Sequence, residues 1–177
     1  KDVVKIIKKK KKYKIFFSDV VYFRNVNYYN IRRLFSAKNF KSWQMRFGLM
    51  PAHPGSFIEK NIYKKYGYYN EKFKIASDFE FFLRILFIKS IKFFNISNTT
   101  IRMRLGGISS KNIWSYIIST KEIIKSHEMN KVKSQKLLIA FRFIFKFKQL
   151  FLYNKYEINR SFKLFKIMFD KTEVRKN

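Results

Sequence analysis

Apolar residues gather densely over Tyr13–Phe23, where Ile15, Phe16, Phe17, Val20, Val21, Tyr22 and Phe23 form a β-branched and aromatic run that predicts a strand. Ser18 and Asp19 interrupt it. That polar pair reads as a bulge, as a functional strand edge, or as a solvent-facing turn. Before it, Val3, Val4, Ile6 and Ile7 followed by Lys8–Lys12 predict the end of an amphipathic helix and then a solvated stretch. From Asn25 to Lys41 no clean period emerges, and the expectation is loop with short helical pieces. Asn61–Tyr66 predicts a short helix, with Gly67 taking the left-handed position at its end.

The sharpest local pattern is Ser77-Asp78-Phe79-Glu80, which reads as a capping box with Ser77 as N-cap and Glu80 as N3. The stripe Phe79, Phe82, Leu83, Leu86 and Phe87 follows at helical spacing. Asp78 then falls in the first turn, where the free backbone N–H groups and the helix dipole favour its charge. Ile91–Phe94 and Thr99–Arg104 are expected to be short strands, closed by Gly106-Gly107 and Ser109-Ser110. Ile113–Ile124, Val132–Leu152 and Ile158–Phe169 predict amphipathic helices, the last two basic. Together these elements predict an α/β fold with a mixed sheet, followed by C-terminal amphipathic helices.

Composition narrows the chemistry. The 177 residues carry 40 Lys or Arg against 11 Asp or Glu, for a formal charge of +29. Thirty of the basic residues are Lys, spread over every segment but densest toward the two ends. Such a field favours anionic partners, whether nucleic acid, lipid headgroups or phosphorylated small molecules, without choosing among them. The absence of Cys excludes disulfides, thiolate metal sites and a Cys nucleophile. No apolar run is long enough to span a bilayer, since Arg84 breaks the stretch at Phe81–Ile88. The chain opens on Lys1 rather than Met, so an upstream portion is expected.

Both prolines, Pro51 and Pro54, flank His53 and hold it in an extended or turn conformation. That restraint is useful if the ring must be aimed, and costs nothing if it only faces solvent. Asp78 is a general-base candidate or simply a helix-end charge. Arg102 and Arg104, two apart on a strand, share a face that can grip a phosphate or form a solvated edge. Glu80 and Arg84 read as a capping residue and a salt-bridging residue, or as neighbours of a reaction centre.

The strings MPAHPGSFI, KKYGYYNEKFKIASDFEFFLR and IRMRLGGISS, in this order and spacing, resemble the family 2 glycosyltransferases, and in particular the colanic-acid type that builds surface polysaccharides. The likeness covers roughly residues 1–125. It implies the C-terminal part of a catalytic domain with the A-type nucleotide-diphospho-sugar transferase fold, leaving 126–177 as a basic helical tail. It further implies an inverting transfer from a nucleotide-sugar donor to a saccharide or lipid-linked acceptor, at the cytoplasmic side of the cell membrane. By this resemblance Asp78 is the catalytic base, supported by Glu80 and Arg84. His53 lines the acceptor or donor side. Arg102, Arg104, Gly106 and Gly107 lie toward the diphosphate, and Asp19 marks the strand after the nucleotide-binding half.

One departure is large. The family's paired metal-binding aspartates and first nucleotide-binding units precede the matched region, and the four Asp here (Asp2, Asp19, Asp78 and Asp170) are isolated. The expectation is therefore no metal or cofactor in this chain, with magnesium or manganese bound by a full-length parent. Two other classes compete. One is a membrane-surface or scaffold protein carried by the tail Lys131–Lys171 on anionic lipid. The other is a nucleic-acid-binding module, disfavoured because no zinc ligands, RNA-recognition string or helix-turn-helix pattern is present.

Overall fold

The computed structural model describes residues 2–23, 31–104, 113–133, 135–140 and 142. Its centre is β1 (Ile15–Phe23), whose first seven residues are buried. A strand so apolar on both faces belongs in the middle of a covered sheet. β2 (Ile31–Phe35) and β3 (Ser56–Ile58) pair antiparallel with the two ends of β1, while β4 (Phe93–Arg104) runs parallel to it along its whole length. β4 thus occupies one edge of β1, and β2 and β3 share the other. The fold is a mixed α/β arrangement with C-terminal helices, as the sequence predicts.

The polar pair in β1 is neither a turn nor exposed. Ser18 sits opposite Ile96, Asp19 opposite Thr99 and Val20 opposite Ile101, so the extra residues of the bulge belong to β4. Both side chains are buried and satisfied. The Ser18 hydroxyl donates to the Gly55 carbonyl at 3.1 Å and is hydrogen-bonded to Thr100. One oxygen of Asp19 accepts from the Ala37 N–H at 2.7 Å and the Ser36 hydroxyl at 3.0 Å. Burial still raises the Asp19 pKa, against the pull of those two bonds and of Lys38. The Pro51–Ser56 segment lies directly on this bulge. A Cβ on Gly55 would stand 2.5 Å from the Ser18 carbonyl oxygen, so glycine is the residue that permits the contact.

The helices are α1 (Asp2–Lys9), α2 (Lys60–Tyr66), α3 (Ser77–Phe82), α4 (Ile113–Met129) and α5 (Lys136–Ala140). After Phe82, α3 widens into a π-helical stretch over Leu83–Ile88, which closes with the Lys89 N–H donating to the Arg84 carbonyl at 3.0 Å. Phe79, Phe81, Phe82, Leu83, Ile85 and Leu86 are all buried, more than a single amphipathic stripe supplies. The reason is that α3 is covered on two sides. Phe82 meets Phe17 of β1 edge-on at 5.4 Å, and Phe79 meets His127 of α4 at 5.4 Å. Each such buried phenylalanine contributes about 1.5–3 kcal/mol by area removed from water.

Four expectations need correction. Residues 31–35 form a strand rather than loop, because pairing to β1 and the stacking of Arg33 over the Tyr22 and Phe35 rings organise a segment without periodicity of its own. The two short strands expected at 91–94 and 99–104 are one twelve-residue strand, continuous through its bulges. Gly67 has φ +83°, in the region favouring glycine, but ψ 165° takes it out of the left-handed helical position. The capping box does not form: Ala76, not Ser77, precedes the helix, and no side chain caps it locally. The expected helix over 158–169, most of that over 132–152, and Gly106 and Gly107 lie outside the described residues.

His127 is fully buried, with Nδ1 2.8 Å from the Ile123 carbonyl and Nε2 3.0 Å from that of Met45. Burial holds its pKa below the ordinary 6.5, and the two carbonyls oppose that shift. As pH falls, the unfolded chain takes up this proton before the folded one does. Stability is therefore expected to decline below about pH 6.5 and to level off once the folded ring protonates. Urea melts across that range check it: His127→Gln should flatten the slope.

Candidate functional site

Asp78 is the second residue of α3 and half-buried, and its Oδ1 accepts the Phe79 N–H at 2.7 Å. The segment leading to it is held from another element. Glu122 of α4 accepts the Lys74 N–H on Oε1 at 2.7 Å, and the Ile75 and Ala76 N–H groups on Oε2, both at 2.8 Å. One carboxylate from α4 thus satisfies the three amides just before the helix, and this replaces the local capping box.

Glu80 and Arg84 brace the same turn from the other side. Glu80, only 4% exposed, accepts from Arg84 Nε and Nη2 at 3.1 Å each and from Asn130 Nδ2 at 3.3 Å. Arg84 reaches on to the carbonyls of Tyr66 and Tyr68, the latter at 2.8 Å, so its cation meets the negative end of α2. A buried pair with every partner supplied in this way ties α2, α3 and the end of α4 together. Glu80 is therefore a structural carboxylate with a different task from the one its spacing suggested.

His53 stands in a tight turn over His53–Gly55, started by Pro54. Its Nε2 lies 2.8 Å from the Tyr69 hydroxyl, which in turn lies 3.2 Å from that of Tyr63. The imidazole meets the Tyr69 ring edge-on at 5.4 Å and the Phe82 ring at 5.9 Å, and Tyr63 stacks on Phe81 at 5.0 Å. The Tyr69 pKa is pushed far up, first by burial, then by Tyr63, and also by the negative charge of Asp78. Asp78 acts in the same direction on Tyr22, whose burial raises it as well, against the pull of Arg33. Tyr69 is thus hydrogen-bonded to His53 and feels the charge of Asp78, and it is a phenol that stays protonated.

Arg102 and Arg104 sit opposite Val21 and Phe23 in the sheet, Arg102 half-buried and Arg104 exposed. They flank the Tyr22 end of β1. Sequence reasoning assigned no role to Tyr69, Tyr22, Arg33 or Glu122. Tyr69 falls inside a quoted string, but nothing in its spacing marks it as the partner of a histidine sixteen residues earlier. Among the described residues no group of three or more His, Cys, Asp or Glu is gathered to hold a metal ion. Nor is any helix among them long and apolar enough to cross a membrane.

Glu122→Ala should lower unfolding free energy by about 2–3 kcal/mol in urea melts, since hydrogen bonds to a charged acceptor are lost at three amides. Tyr69→Phe should cost only about 1 kcal/mol, and should shift the imidazole nitrogen resonances of His53 while leaving those of His127 in place. Comparison with family models, curated proteins and solved structures finds no match to this chain.

Proposed function

We propose that this chain is the acceptor-side portion of an inverting glycosyltransferase of family 2, with the A-type fold, acting from a nucleotide-sugar donor on a surface-polysaccharide or lipid-linked acceptor at the cytoplasmic side of the membrane. The observation that carries this reading is the setting of Asp78. It is a half-buried carboxylate at the start of a helix, its charge is felt by Tyr69, the partner of His53, and the backbone just before it is gripped by Glu122. The three strings that carry the family resemblance include Asp78, His53, Tyr69 and Arg102. A mixed sheet with helices on it is compatible with that fold.

In this reading Asp78 takes the proton from an acceptor hydroxyl. The acceptor oxygen attacks the anomeric carbon as the bond to the nucleoside diphosphate breaks on the opposite face, which inverts the configuration. A base of this kind must be held within hydrogen-bond reach of the hydroxyl, and rigid placement is worth more than a shifted pKa. Glu122, Glu80 and Arg84 supply the placement. His53, aimed by Pro54 and Tyr69, offers a polar wall for the acceptor, and Arg102 and Arg104 offer cations to the diphosphate. Magnesium or manganese, which the resemblance implies, finds no fitting donor set among the described residues, and no step is assigned to a metal here. The donor side is assigned to an upstream portion.

Two measurements test this. The coding DNA upstream of Lys1 should continue in frame through strand–helix periodicity and a paired-aspartate string. In the transferase so encoded, Asp78→Asn should lower turnover about 10²–10⁴-fold with donor affinity little changed, because the amide keeps the shape but accepts no proton. Retention of more than about a tenth of wild-type turnover under chemistry-limited conditions would exclude Asp78 as the base.

A further inference from the structure

α4 carries two faces of opposite character. Inward it presents Ser115, Ile123, Ser126 and His127, all buried, and the Glu122 clamp. Outward, within about 80° of one another at the spacing of a helix, it presents Trp114, Ile118 and Met129 together with Lys121 and Lys125. Trp114 is 67% exposed, Met129 49% and Ile118 38%. An isolated exposed Ile calls for no explanation, but a Trp, a Met and an Ile on one outward helical face do.

The electrostatics of that face select the partner. The helix has two acids. Glu122 is turned inward onto the amides of residues 74–76, and Glu128 is paired with Lys136 at 2.7 Å. What remains outward is apolar and cationic. Lys121 and Lys125 can lay their stems beside Trp114 and Ile118 and lift their ammonium groups to an anionic plane. Trp is suited to the boundary between acyl chains and headgroups. A nucleic-acid backbone would use the lysines but leave Ile118 and Met129 in water.

We infer that the outward face of α4 is a docking surface for an anionic lipid bilayer, with Trp114 seated at the headgroup boundary and Lys121 and Lys125 on the phosphates. The inference is independent of the transferase reading. α4 also holds the backbone before Asp78, so docking on this face would set the candidate site at a fixed height above the membrane.

The chain has two tryptophans, so Trp43→Phe leaves Trp114 as the sole indole reporter. In that background Trp114 emission should shift to the blue and be quenched by brominated acyl chains on vesicles of equal parts phosphatidylglycerol and phosphatidylcholine. Vesicles of phosphatidylcholine alone should have little effect. Lys121→Gln with Lys125→Gln should weaken partitioning about tenfold at low salt, and the difference should shrink as salt is added. These Lys variants alter exposed positions, and unchanged circular-dichroism melts would verify their folding. Three results would overturn the inference. Vesicle binding without quenching of Trp114 would put the membrane contact elsewhere. Protection of Trp114 from iodide before lipid is added would mean the face is already covered, by this chain or by a second copy. Equal spectral changes on duplex DNA and on anionic vesicles would make the surface a general polyanion site.

Discussion

The grip of Glu122 on the amides of Lys74, Ile75 and Ala76 is the interaction on which the candidate site depends. It joins residues nearly fifty positions apart and gives the first turn of α3 its start. Without it the part-buried amides of Ile75 and Ala76 would lack acceptors, and the helix carrying Asp78 would lose its fixed entry. The Glu80–Arg84 pair completes the frame from the opposite side, closing the end of α2 and meeting Asn130 after α4. Between them these carboxylates turn a short, mostly hydrophobic helix into a rigid mount.

A chain with so few acids uses them sparingly. Asp19 ties β1, beside the β4 bulge, to Ser36 and Ala37, Glu59 pairs with Lys14 across the sheet end, and Glu128 pairs with Lys136. Each of these carboxylates bonds to backbone or to a basic side chain in a way that fixes one segment against another. Asp78 bonds the amide of the next residue, Phe79, and its charge is felt by the phenols of Tyr69 and Tyr22. Glu80 and Glu122 hold the architecture around it.

The aromatic content has a similar division of labour. Phe17, Phe79, Phe81 and Phe82 weld the sheet, α3 and α4 into one core through edge-on and tilted contacts. Tyr63 and Tyr69 lie at the boundary of that core, with their rings in it and their hydroxyls strung toward His53. The same residue class therefore supplies stability at one end of the ring and a hydrogen-bonding surface at the other.

Local pattern was enough to predict β1, α2, α4 and the helix that begins at Ser77, because burial on one or two faces imposes a period that side-chain type reveals directly. It also marked Asp78 and His53, the one by its place at a helix start and the other by its flanking prolines. What it could not determine was anything set by partners distant in the chain. β2 exists because β1 offers an edge to pair with and Tyr22 offers a ring to Arg33. The bulge beside Ser18 and Asp19 lies in β4, which a reading of β1 alone cannot see. The S-x-x-E spacing predicted a cap that never forms, since Glu122 reaches the preceding amides from α4 and Glu80 is engaged by Arg84. Tyr69 became the partner of His53 only through folding, because hydrogen bonds between side chains sixteen residues apart leave no periodic trace in the sequence. Residue type and spacing determined which segments would be buried; the tertiary structure decided which polar groups would meet, and with them the shape of the site.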